Sequence, residues 1–161
     1  MNLEISIAYN SWNEEEVRSI AAECAKAVFS EIKLNKNNVE ICLLFANDKE
    51  IRILNKTYRG VDKPTNVLSF PMESPPNDND DYYILGSIAL AFETIKRESL
   101  EQKKSFQDHL KHLIVHSLLH LLRYDHANKN EAEQMEMLEV VILKKMNVKN
   151  PYGESCYDIE D

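Results

Sequence analysis

The sequence predicts an α+β fold, a small mixed β-sheet of about four strands packed with about five helices. Three observations predict it. Short strand-like runs alternate with helix-like segments over the first half of the chain. Two further strand-like runs and then helical segments follow, and no internal repeat or linker divides the chain. At 161 residues, 43% apolar and 29% charged, the chain has the size and composition of one globular domain. Residues 1–150 are read as that domain and residues 151–161 as a flexible acidic tail.

Leu3, Ile5 and Ile7 alternate with polar residues and predict a first strand. Ser11 or Asn13 can cap a helix running to about residue 32, with Val17, Ile20, Ala21, Cys24, Val28 and Phe29 as its buried stripe. Asn35, Asn37 and Asn38 mark a loop. Residues 39–45 (VEICLLF) then read as a second strand, whose continuous apolar end suits the interior of the sheet. Asn47-Asp48 begins a short helix carrying Ile51, Leu54 and Tyr58, and Gly60 stands where its end calls for a left-handed residue.

Residues 60–65 (GVDKPT) are expected to turn, and residues 66–70 to form a short strand stopped by Pro71. A polar loop, residues 72–82, precedes another strand over residues 84–92, with Gly86 inside it. Residues 93–123 read as two helices broken near Ser105. A last amphipathic helix spans residues 131–145, with Met135, Leu138, Val141 and Ile142 on one face.

Charge narrows the function classes. With 19 basic against 27 acidic residues the net charge is −8, which argues against holding nucleic acid through bulk positive charge but leaves room for a local basic groove. No apolar run approaches the roughly 20 residues that cross a bilayer, and the N-terminal residues lack the pattern of a signal peptide. A cytoplasmic location with no membrane partner is expected. Cys24, Cys42 and Cys156 form no CxxC pair, so they read as reduced structural thiols rather than metal ligands.

All five histidines lie between residues 109 and 126, and His109, His112, His116 and His120 share one helical stripe. His116 and His120 are i and i+4, so their rings can reach one ion. His126 returns to that ion if the helix ends near Arg123 and the chain turns. Two helical histidines and one from the following turn suit zinc with a fourth position open, and an open position implies catalysis. Leucines flank these histidines, so little of the helix is solvated surface that would collect them by default. His109 and His112 are expected behind or beside the ligands.

The spacing HxxxHxxxxxH is shared with metzincin proteases, whose general base is a glutamate directly after the first histidine. Ser117 occupies that position and cannot serve as a base by itself. A closer resemblance lies in two segments, LNKTYRGVDKPTNVLSFP (54–71) and HLIVHSLLHLLRYDH (112–126), with LGSIAL (85–90) between them. Together they resemble the bacterial YbeY family of metal-dependent endoribonucleases.

That resemblance implies metal ligation by His116, His120 and His126, with His116 and Arg59 as catalytic residues and Arg59 beside the ion in the substrate groove. The imidazole donor set suits Zn2+ as cofactor, with Ni2+ or another divalent metal as alternatives. The resemblance further implies single-stranded RNA as substrate, a role in small-subunit ribosomal RNA maturation and ribosome quality control, and ribosomal partners rather than DNA. The sequence departs from the family at Ser87, where aspartate is usual, and at Ser117 and Arg123, where glycine is usual. Arginine in a left-handed turn costs on the order of 1 kcal/mol.

Lys63, Asn66, Ser69 and Arg123 are candidates for the substrate groove, as cations or hydrogen-bond donors to RNA. Tyr58 could stack on a base or belong to the core, and Asp125 could orient a ligand imidazole or cap a turn. Two other readings compete: a small zinc metallopeptidase, and a non-catalytic ribosome-associated module with a structural metal.

Overall fold

A computed structural model describes residues 1–33, 39–72, 82–124 and 127–153. Four strands and five helices occur among them: β1 (Asn2–Ile7), α1 (Glu14–Glu31), β2 (Val39–Ala46), α2 (Asp48–Arg59), β3 (Val67–Pro71), β4 (Tyr83–Ala91), α3 (Phe92–Glu101), α4 (Phe106–Leu121) and α5 (Lys129–Lys145). The sheet order is β1-β2-β4-β3. β1 and β2 run parallel, as do β2 and β4, while β3 pairs antiparallel with β4 at the edge. The expected mixed sheet is therefore present, with β2 inside it as its apolar run suggests. Pro71 is the last residue of β3, on an edge strand where a missing N–H is tolerated.

Helix starts follow the capping residues. Asn13 Oδ1 accepts from Glu16 N, Asn47 Oδ1 from Glu50 N, Ser105 Oγ from Asp108 N and Asn128 Oδ1 from Glu131 N, each relieving a backbone donor that the first turn leaves unpaired. Ser105 thus makes the break between α3 and α4. The N-terminus of α3 has no cap of its own. Asp48 Oδ1 supplies one from α2, accepting from Thr94 N at 3.2 Å and Thr94 Oγ1 at 2.7 Å, while Glu93 Oε1 accepts from Asp48 N at 2.9 Å.

The main core lies between the sheet and helices α1, α4 and α5, built on Phe45, Ile88, Leu90, Ile114, Leu118, Leu119 and Ile142. Trp12 closes one end of it, buried against Phe45, Phe92 and Phe106, its indole N–H donating to Ala46 O at 2.8 Å. A smaller cluster of Ile51, Leu68, Ala89 and Ala91 seats α2 on the other side.

The buried face of α5 differs from the sequence expectation. Leu138 and Val141 are only half-buried, and the buried positions include Met135, Glu139, Val140, Ile142 and Leu143. The stripe that meets α4 runs through a glutamate.

Gly86 explains how α4 settles against the sheet. The β2–β4 register shifts between Glu40 and Ile41, a bulge at Leu85 that leaves Gly86 at φ +150°. A Cβ there would meet Phe70 O at 2.5 Å and Leu121 Cδ2 at 2.8 Å. Only glycine lets β3 and the end of α4 come this close to β4, and both elements line the cleft described next.

Candidate functional site

An open cleft of about 450 Å³ lies between α4, β3 and the end of α2, lined in part by Arg59, Asn66, Ser69, His112, His116, His120 and Tyr152. Each element brings its residues there for a local reason. α2 ends at Gly60 in the left-handed conformation, φ 71°, as expected, and this leaves Arg59 at the helix terminus on the cleft rim. The following turn is fastened to α2. Asn55 Nδ2 donates to Lys63 O at 2.9 Å, and Arg52 Nε donates to Asp62 Oδ1 at 2.8 Å, holding the Asp62 carboxyl below the usual carboxylate range. Lys63 is exposed in that turn and outside the cleft lining.

Asn66 enters the wall just before β3. Its Nδ2 donates to Glu98 Oε1 at 2.9 Å, and the same oxygen lies 2.8 Å from His109 Nε2. His109 is therefore a buried residue of the wall's support, not of the rim, only 3% exposed.

On α4 the histidine stripe turns toward the cleft as its spacing predicts. His116 Nε2 and His120 Nε2 are 3.1 Å apart with both rings half-buried. Two ring nitrogens at this distance hold either a shared proton or a shared cation between their lone pairs. Behind them lies Glu139, 0% exposed. Its Oε1 meets His116 Nδ1, and its Oε2 accepts from the Tyr152 hydroxyl and lies 3.4 Å from His112 Nε2. Burial pushes the Glu139 carboxyl up, but hydrogen bonds with His112, His116 and Tyr152 outweigh it and bring it down to about 2. The glutamate is thus an anion at neutral pH, buried among its partners.

Sequence reasoning passed over Glu139 and placed Tyr152 in the loose tail. For Glu139 a signal existed. It stands four residues after Met135 and three before Ile142, a charged residue on the buried stripe of an amphipathic helix. For Tyr152 no local pattern existed; its ring packs back on His112 of α4, and residues 154–161 lie outside the described residues.

Other expected site residues fall in different places. His126 and Asp125 lie outside the described residues, as does Cys156. Among the described residues, no group of three His, Cys, Asp or Glu side chains converges as a metal site. Ser117 is fully buried, so the position that carries the protease base is closed to substrate. Ser87 belongs to the opposite face of the sheet, beside Cys42 and Phe70. Tyr58 is not core: it is exposed, its ring 5.4 Å from that of Phe70.

Arg123 adopts the left-handed conformation expected of it, φ 73°. Arg123 N donates to His120 O and Tyr124 N to Leu119 O, each at 3.0 Å, closing α4 with the pair of bonds that usually has glycine at its centre. Its guanidinium donates to Met72 O, outside the cleft lining.

A sequence model of the family described as endoribonuclease YbeY matches residues 3–147. A protein named endoribonuclease YbeY from Bradyrhizobium sp. is 41% identical over 155 residues, covering 94% of this chain and 92% of the relative. Its namesakes from Bartonella henselae and Bartonella bacilliformis are 40% and 41% identical and cover 96% of this chain and 98% of their own. The solution structure of a Thermotoga maritima protein superposes with a TM-score of 0.58 over 98% of this chain and 99% of its own, at 20% identity, a likeness of fold. With the segments that carry the resemblance meeting across one cleft, the chain belongs to the YbeY endoribonuclease family.

Proposed function

We propose that the protein is a metal-dependent endoribonuclease that cuts single-stranded RNA in its α4–β3 cleft, acting on small-subunit ribosomal RNA and in ribosome quality control in the cytoplasm. The observation that carries this reading is the convergence of Arg59 with His116 and His120 on one open cleft. It places a permanent cation beside two imidazole donors, the combination that phosphodiester cleavage calls for.

The residues suit one divalent ion. A separation of 3.1 Å between His116 Nε2 and His120 Nε2 is close to that of two nitrogens each about 2.0–2.1 Å from a common centre. Neutral imidazole is a donor for zinc or nickel, and among the described residues no cysteine lines the cleft. His116 and His120 would hold the ion, with His126 as the third ligand. When bound, the ion supplies Lewis acidity toward a phosphoryl oxygen and toward water.

The chain's own side chains do the rest. Arg59 offers a planar guanidinium to two phosphate oxygens and favours the charge that gathers there as the bond breaks. Ser69 and Asn66 line the same wall. The Asn66 amide nitrogen donates to Glu98, and its carbonyl oxygen could accept from a donor of the substrate. The cleft is open, so an unpaired strand can lie along it.

The test is cleavage of single-stranded ribosomal RNA fragments by wild type, His116→Ala, His120→Ala, His126→Ala and Arg59→Ala, each after metal analysis. Metal loss with activity loss in the three histidine variants, and activity loss with metal retained in Arg59→Ala, is the expected result. Cleavage that survives in the histidine variants would discard the reading.

A further inference from the structure

We propose that Glu139 is a positioning residue for His116, and that Tyr152 and His112 hold its carboxylate in place, so that the segment after α5 forms part of the site. The proposal rests on the metal-binding reading above.

Glu139 is 0% exposed, on a helix face otherwise made of Met135, Ile142 and Leu143. A buried carboxylate is costly unless its charge is answered, and an apolar residue would serve this face of the core at least as well. Packing alone therefore gives no reason for a glutamate. Its partners do. One oxygen meets His116 Nδ1; the other accepts from Tyr152 and lies 3.4 Å from His112 Nε2. The His112 and Tyr152 rings are themselves packed edge to face at 5.6 Å. The four side chains come from α4, α5 and the residues beyond α5, and they close on one another.

The chemistry follows from hydrogen-bond roles. Glu139 already accepts from the Tyr152 hydroxyl, and a carboxylate taking the same accepting role toward His116 puts the imidazole proton on Nδ1. That fixes the lone pair on Nε2, the nitrogen that faces His120 Nε2 at 3.1 Å. The carboxylate also stops the imidazole from rotating away and strengthens it as a donor. Tyr152 and His112 act one step further back. They prevent the Glu139 carboxylate from turning, so the packing of α5 on α4 sets the orientation of the His116 ring.

The test titrates Co2+ and Zn2+ into the full chain and its Glu139→Gln and Tyr152→Phe variants. It reads affinity by chelator competition, the visible absorption of the cobalt form and the melting temperature of the metal-free protein. Wild type is expected to bind one ion. Glu139→Gln, nearly equal in shape, should bind about 10–100-fold more weakly with an altered cobalt spectrum, and Tyr152→Phe should move both readouts the same way by less. A lowered melting temperature with affinity and spectrum unchanged would mean a merely structural role and overturn the proposal. If Glu139→Gln does not fold, Tyr152→Phe decides by the same readouts. Failure of wild type to bind either ion would overturn the metal reading itself, and this proposal with it.

Discussion

His109 Nε2 lies 2.8 Å from Glu98 Oε1, and that oxygen also accepts from Asn66 Nδ2 at 2.9 Å. A residue of the cleft wall is thus fixed through α3 to a histidine buried in α4. Burial holds the His109 pKa below its ordinary 6.5, more than Glu98 raises it.

The sign of the pH effect follows. The folded state favours neutral His109, while the unfolded chain protonates it as pH drops through about 6.5. This contribution to stability is complete above that pH and is lost progressively as pH falls from there toward the lower folded value. In His109→Gln the amide can still donate to Glu98 but does not titrate. Its melting temperature should fall less than that of wild type between about pH 7.5 and 5.5. Equal falls in thermal melts at the two pH values would show that His109 is not the titrating group.

Arg59 gives a prediction about activity without stability. It is exposed at the end of α2, with its side chain on the cleft. Arg59→Ala should leave the melting temperature unchanged and lower single-turnover RNA cleavage by about 10²–10³-fold, the loss usual for one donor to a developing anion. Arg59→Lys should recover only part, because a point charge cannot contact two oxygens at once. Full activity in the lysine variant would assign Arg59 to charge alone.

Gly86 couples stability to the site. A Cβ in that position collides with the Phe70 carbonyl, which is backbone and cannot swing aside, and the φ of +150° disfavours any side chain. Gly86→Ala should cost about 1–3 kcal/mol. In a domain of this size that lowers the melting temperature by roughly 2–4 °C per kcal/mol. Since Leu121 is the other neighbour and adjoins His120, metal affinity should fall alongside. A stable variant with normal affinity would mean that β3 and α4 do not depend on this approach.

What the sequence shows of this molecule divides by range. Asn13, Asn47, Ser105 and Gly60 act on backbone groups within a few residues, and each boundary they mark is where the structure has it. The His116–His120 pair is also local, one turn of one helix, so its convergence follows from spacing alone. Glu139 meets His116 across 23 positions, and Tyr152 meets Glu139 only because the chain folds back after α5. No period in the sequence encodes that return. Arg59 and the histidines come together through β3, whose place beside β4 rests on Gly86, a residue legible only as an irregularity within a strand.

Arg123 is the departure whose effect can be measured most directly. Its φ of 73° costs on the order of 1 kcal/mol relative to glycine. Its guanidinium donates to Met72 O, tying the end of α4 to the residue after β3, a hydrogen bond worth roughly 0.5–1.5 kcal/mol. The two nearly cancel, so Arg123→Gly should shift stability by less than about 1 kcal/mol, a change in melting temperature within about 4 °C. RNA binding separates the remaining alternatives. One phosphate contact on a single strand contributes about 0.7 to the slope of log affinity against log salt. With its guanidinium on Met72, Arg123 makes no such contact, and binding by Arg123→Gly measured across a salt series should keep the wild-type slope. A slope reduced by that amount would mean that the side chain leaves Met72 for the substrate.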